Sequence, residues 1–238
     1  MKTKLTLALA LAAAPFANAA LINVNFNGFT GAADAGQVES SLEGPGGGLG
    51  TSWNQFADED SAGTLVTSTG AATTIEFTSN FSESRYNGDG PSLTMLRAAL
   101  TDFGRGATRN LTITGLELGG IYDIWLVGYR DSTAARERIV GNWATTNATT
   151  SSTDQLIDNR VGNNGATFVD GYNYVLFENV VADGAGQIVF DGKGATILDG
   201  FDDDYRHGLN GFQINAIPEP SSLALLGLGG LMVLRRRR

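Results

Sequence analysis

The chain has no cysteine in 238 residues. That excludes disulfides, thiolate zinc sites, iron–sulfur clusters and cysteine nucleophiles. It has one histidine, His207. A multi-histidine metal site cannot form, and a Ser-His-Asp triad would need this one residue as its base. The body contains no Gly-x-Ser-x-Gly elbow to supply the serine. A structural or surface role is therefore the stronger reading of His207, and no catalytic residue is assigned. Charge is scarce, at 17% of residues, and its balance is −9. With the basic residues at the two ends and Glu219 set aside, the body carries about −14. So acidic a surface repels phosphate backbones and disfavours nucleic acid as a partner. Helical periodicity is nearly absent as well.

Glycine is abundant, with 32 residues, many in Gly-Gly, Asn-Gly or Asp-Gly pairs that mark tight turns. Between the turns, apolar residues alternate with polar ones. Ile22, Val24 and Phe26 alternate with Asn23 and Asn25 in a first strand. Residues 31–50, with Pro45 and the glycines after it, read as a long loop pinned by Trp53 and Phe56. Strands are expected at Thr64–Ser68, Ala72–Ser79 and Asn110–Thr114. Ile121–Tyr129 is apolar on both faces and reads as a central strand, with Arg136–Trp143 as its partner. Tyr172–Val180 and Gln187–Phe190 read as a hairpin joined through Asp183-Gly184-Ala185-Gly186. Leu209–Ile214 closes the body, and pairing with the first strand would bring the two chain ends together. Leu93, Leu96 and Leu100, between Pro91 and Gly104, predict one short helix. The fold class is all-β: a β-sandwich of jelly-roll type with that one helix and a C-terminal hydrophobic helix.

The two ends carry signals. Lys2 and Lys4, the apolar run Leu5–Ala14, and Ala17 and Ala19 spaced for signal peptidase predict a signal peptide over 1–19. The exported body then spans 20–217. At the other end Pro218, Glu219 and Pro220 are followed by Ser221 and Ser222. Next come an apolar run, Leu223–Leu234, and the arginines Arg235, Arg236, Arg237 and Arg238. Proline keeps the first part extended and accessible. Four guanidinium groups cannot cross lipid cheaply and hold their end on the cytoplasmic side.

This tripartite tail, residues 218–238, resembles the PEP-CTERM sorting signal. The resemblance implies a bacterial export route in which an exosortase-type transpeptidase recognises and cleaves the tail. It also implies membrane anchorage in transit through the C-terminal helix, then a cell-surface or extracellular location. The apolar run of about 12 residues makes roughly 18 Å of helix. That is short of a hydrocarbon core of about 30 Å, and Ser221, Ser222 and snorkelling arginines extend it. The glycine-rich β body resembles the jelly-roll bodies of many PEP-CTERM proteins and the galactose-binding-like fold.

Two features of the body point to ligands. Asp199, Asp202, Asp203 and Asp204 crowd carboxylates into six positions, for which calcium is the natural cation; a solvated loop is the alternative. Trp143, beside Asn142 and a threonine-rich stretch, is the candidate platform for stacking on sugar rings, with core packing as the competing role. The function expected is a non-enzymatic surface or matrix protein associated with exopolysaccharide or biofilm. The alternative is a carbohydrate-binding module, calcium-stabilised, and a secreted polysaccharide hydrolase ranks last.

Overall fold

The computed structural model describes residues 21–26, 42–48, 50–56, 64–81, 83–86, 98–102, 108–130, 139–149, 154–159, 167–194 and 207–218. Among them the chain forms strands and turns, and no helix. One five-stranded sheet contains β1 (Ile22–Phe26), β2 (Asn54–Phe56), β7 (Ile121–Val127), β10 (Tyr174–Val181) and β13 (Gly211–Ile217), in the order β10-β7-β13-β1-β2. A second contains β3 (Glu76–Ser79), β6 (Thr108–Thr114), β8 (Val140–Thr145), β9 (Asp154–Asp158) and β11 (Ile188–Gly194), in the order β3-β6-β11-β8-β9. A small third sheet joins β12 (His207–Leu209), β5 (Ala98–Asp102) and β4 (Glu83–Tyr86). Every pairing between strands is antiparallel except β1 with β2.

The alternation read in the sequence decides what each sheet buries. Ile22, Val24 and Phe26 of β1, Phe212 and Ile214 of β13, and Tyr122, Ile124 and Leu126 of β7 all point into one core. Leu111 and Ile113 of β6 and Ile188 and Phe190 of β11 meet them from the second sheet. Phe77 of β3 is the centrepiece. Its ring lies 4.8 Å from Phe56, 5.4 Å from Phe212 and 5.5 Å from Phe26, all in edge-on geometry. Phe177 and Phe190 make a second bridge between the sheets at 4.9 Å. Such pairs are worth about 0.5–1.5 kcal/mol beyond the area they bury.

β1 and β13 pair antiparallel, Ile22 with Ile214, as the sequence predicts. β7 is an interior strand, flanked by β10 and β13, and β13 is the middle strand of the five. Three expectations are corrected. Residues 98–102 are not the end of a helix but strand β5, paired on both sides; residues 91–97 lie outside the described residues. Long-range pairing outweighs the local spacing of leucines there. Asp183–Gly186 does not close a hairpin, because β10 and β11 belong to opposite sheets and the turn carries the chain between them. The strand containing Trp143 pairs with β9 and β11, not with β7. The signal peptide and the C-terminal hydrophobic helix also lie outside the described residues.

Candidate functional site

The functional features gather on the first sheet, at the end where the tail leaves and on the face turned away from the core. β13 is paired on both sides, and Ile217, its last residue, still pairs with Ile121 of β7. Ile121 in turn pairs with Val181 of β10. The pairing of Ile22 with Ile214 sets the start of β1 at this same end. Pro218 follows at once, exposed. Having no N–H, it stops the ladder. From Asn215 to Ile217 β13 pairs with β7 alone, and the tail leaves directly from the last of these ladder positions.

Two turns flank the exit. Asp183 organises one of them. Its Oδ1 accepts from the N–H groups of Ala185 at 2.8 Å and Gln187 at 2.9 Å, and its Oδ2 accepts from Asn147 Nδ2 at 2.7 Å. The bonds from Gln187 and Ala185 hold this carboxyl below its ordinary value. Gly186 in this turn has φ +70°, and a Cβ there would sit 2.4 Å from the Leu116 carbonyl oxygen. In the other turn the Glu117 N–H donates to the Tyr122 hydroxyl at 2.9 Å. Burial pushes the Tyr122 hydroxyl up, the bond from Glu117 opposes that, and the Glu117 charge adds to it. Leu118, next to Glu117 in this turn, is 67% exposed.

The outer face is polar where the inner one is apolar. Asn23, Gln213, Trp125 and Leu176 lie in one row across β1, β13, β7 and β10. Gln213 Nε2 donates to Asn23 Oδ1 at 2.7 Å and to the Gly47 carbonyl at 2.8 Å, while its Oε1 accepts from the Gly46 N–H at 2.8 Å. Asn23 Nδ2 donates to Thr51 Oγ1 and to the Ser52 carbonyl, both at 3.1 Å. Asn54 ties β2 to Val66 through two bonds of 2.8 Å. The segment from Gly44 to Gly48 thus straps half of the face. A Cβ at Gly44 would lie 2.2 Å from Gln213 Oε1, so a larger residue there would displace the Gln213 amide from its bonds. Trp125 is partly exposed, with its ring against Gly46 of the strap. Nearby, the buried residues Leu42, Trp53, Val127 and Tyr129 are overlaid by Phe168, Tyr172 and Tyr174, each half-buried. Burial and then the Asp170 charge push the Tyr174 hydroxyl up.

The residues singled out in the sequence fall as follows. Trp143 is fully buried in the core between the sheets, so its ring is not a platform. In β8 its phase is the inward one, and the ring stacks 4.8 Å from His207 and 6.1 Å from Phe81. His207 is itself buried against backbone: a Cβ on Gly192 would lie 2.2 Å from its ring. Among the described residues no group of three acidic or imidazole side chains is placed to hold a metal. Asp199, Asp202, Asp203 and Asp204 lie outside the described residues, as do Ala17, Ala19, Glu219, Pro220 and Arg235–Arg238. The amide row and Trp125 were missed. Trp125 sits out of phase with Tyr122, Ile124 and Leu126, and that was the available signal.

The residues that follow β13 decide the tail. Residues 216–238 match the PEP-CTERM protein-sorting motif. The match begins inside β13 itself. A PEP-CTERM motif implies an exported protein, held in the membrane for a time and processed by an exosortase-type enzyme. No curated protein is significantly similar in sequence. Among solved structures, the plant receptor-like kinase ANX2 overlaps with a TM-score of 0.44 at 14% identity, over 85% of this chain and 48% of that one. The ANXUR1 extracellular domain from Arabidopsis thaliana overlaps at 0.43 and 15%, over 84% and 48%. The chain spans about half the length of these proteins. Among the described residues no helix is long and apolar enough to cross a membrane.

Proposed function

We propose that this is a non-catalytic component of the cell surface or extracellular matrix, associated with exopolysaccharide or biofilm. Signal peptidase cleaves after Ala19, the body of residues 20–217 folds outside the cytoplasmic membrane, and the tail from Pro218 holds it there until an exosortase-type enzyme cuts. The observation that carries this reading is the PEP-CTERM match at 216–238, which begins within β13 while that strand is still paired with β7. Intact mass and fractionation in the native host test it. The mature protein is expected in the surface or matrix fraction without Arg235–Arg238. A surface protein that keeps all four arginines overturns processing, and a cytosolic one overturns export.

A second reading is carbohydrate binding. It is favoured by the half-exposed aromatic rings of the outer face, Trp125 with Phe168, Tyr172 and Tyr174. Flat apolar rings suit the apolar faces of sugars. A glycan array followed by calorimetry is expected to find a saccharide whose binding Trp125→Ala abolishes. Calcium at Asp199, Asp202, Asp203 and Asp204 belongs to the same reading. It predicts a higher melting temperature with calcium than with chelator, and equal melting removes it.

A further inference from the structure

We propose that the tail-bearing end of the sandwich is seated on the outer leaflet of the membrane while the protein is anchored, with Leu118 as the contact. This rests on the anchoring reading above. Only five residues separate Ile217 from Leu223, and five extended residues reach at most roughly 17 Å. Ile217 is paired within the sheet, so none of that reach comes from loosening the fold. An apolar run shorter than the hydrocarbon core is accommodated by thinning the bilayer and drawing its flanks to the interface, which shortens the tether further. The end of the sheet at Ile121, Val181 and Ile217 therefore lies against the lipid surface.

That end carries Leu118, the most exposed large apolar residue described, at 67%. It lies three residues before Ile121, the partner of Ile217. The other large exposed residues, Leu156 and Val169, are 38% and 41% exposed. Val169 is placed at the opposite end, next to Asp170 and its bridge to Tyr174, which pairs with the last residue of β7. A lone surface leucine needs no partner in a free protein. Here the short tether supplies an effective concentration of millimolar order, so one side chain suffices to set orientation. Glu117 and Asp183 flank Leu118, so the contact is shallow and weakens as anionic lipid rises.

The absence of cysteine makes the test direct. The full-length chain carrying Leu118→Cys or Val169→Cys is labelled with an environment-sensitive fluorophore. It is then reconstituted in phosphatidylethanolamine–phosphatidylglycerol vesicles containing brominated lipid. The label at position 118 is expected to be quenched at least about twofold and the label at 169 not at all. Protein that floats with the vesicles but shows no quenching at 118, or equal quenching at both positions, overturns the inference. So does a change at 118 that follows protein concentration and ignores brominated lipid, which marks contact between copies. Protein that does not float overturns the anchoring reading, and this inference with it.

Discussion

The two faces of the first sheet are made by the same strands and hold together in opposite ways. The inner face is rings and aliphatic chains: Phe26, Phe212, Ile124 and Phe177 against Phe77 and Phe190. The outer face is amides: Asn23 and Gln213, fully buried under a strap of glycines. Burial of hydrocarbon is non-directional and tolerates change in proportion to volume. Burial of amides is directional, and removing one partner leaves the others without hydrogen bonds. The inner face therefore supplies most of the stability, and the outer face fixes the shape of a loop.

The largest effect that tests this contrast is on the inner face. Phe77→Ala removes the ring that three others contact and is expected to cost about 3–5 kcal/mol in urea unfolding. Trp143→Ala falls in the same range, because that ring is in the core. A Trp143→Ala protein of near wild-type stability would return Trp143 to the surface. On the outer face, Gln213→Ala leaves the buried Asn23 Oδ1 without its donor, while the Gly46 N–H can turn to water, and is expected to cost about 2 kcal/mol, at 1–3 kcal/mol for a buried group left unpaired. If Gln213→Leu is as stable as wild type, the amide row is packing and the contrast fails. Smaller still is Trp125→Ala. Its ring is only partly buried, so a loss of about 1 kcal/mol is expected, with a blue-shifted remaining tryptophan fluorescence from Trp53 and Trp143.

Much of this contrast was legible in the sequence. The period-two alternation of Ile22, Val24 and Phe26 with Asn23 and Asn25 announced two faces, and the apolar Ile121–Tyr129 stretch announced a central strand. Burial of Asn23 was not legible, because what covers it is the Gly44–Gly48 strap, held by a glutamine 167 residues from Gly46. The partners of β8 and β11 were hidden for the same reason: local turn chemistry at Asp183–Gly186 looks alike whether the chain folds back or crosses to another sheet. Of the site, the sorting tail was plain because its parts are contiguous. The half-exposed rings were not, since Phe168, Tyr172 and Tyr174 come to Val127 and Tyr129 only after β7 and β10 pair.

The smallest predicted effect separates charge from hydrogen bonding at the tail end. Asp183 is only partly buried, unlike the amides, yet it gathers three donors. Its folded value lies below the ordinary 3.8, so the carboxylate favours the folded state while both states are ionised, and that advantage shrinks once the unfolded chain begins to take up a proton. The contribution is complete above pH about 4 and is lost as pH falls through the lower folded value. Asp183→Asn keeps an acceptor oxygen and removes the charge. The melting temperature of the variant is expected slightly below that of wild type at pH 7, and the gap should stay constant to pH about 5 and close below 4. A gap that persists to pH 2 would mean that geometry alone holds the turn. In that case the end of the sheet from which the tail departs is built on the same principle as the strapped outer face, and acid would leave its shape intact.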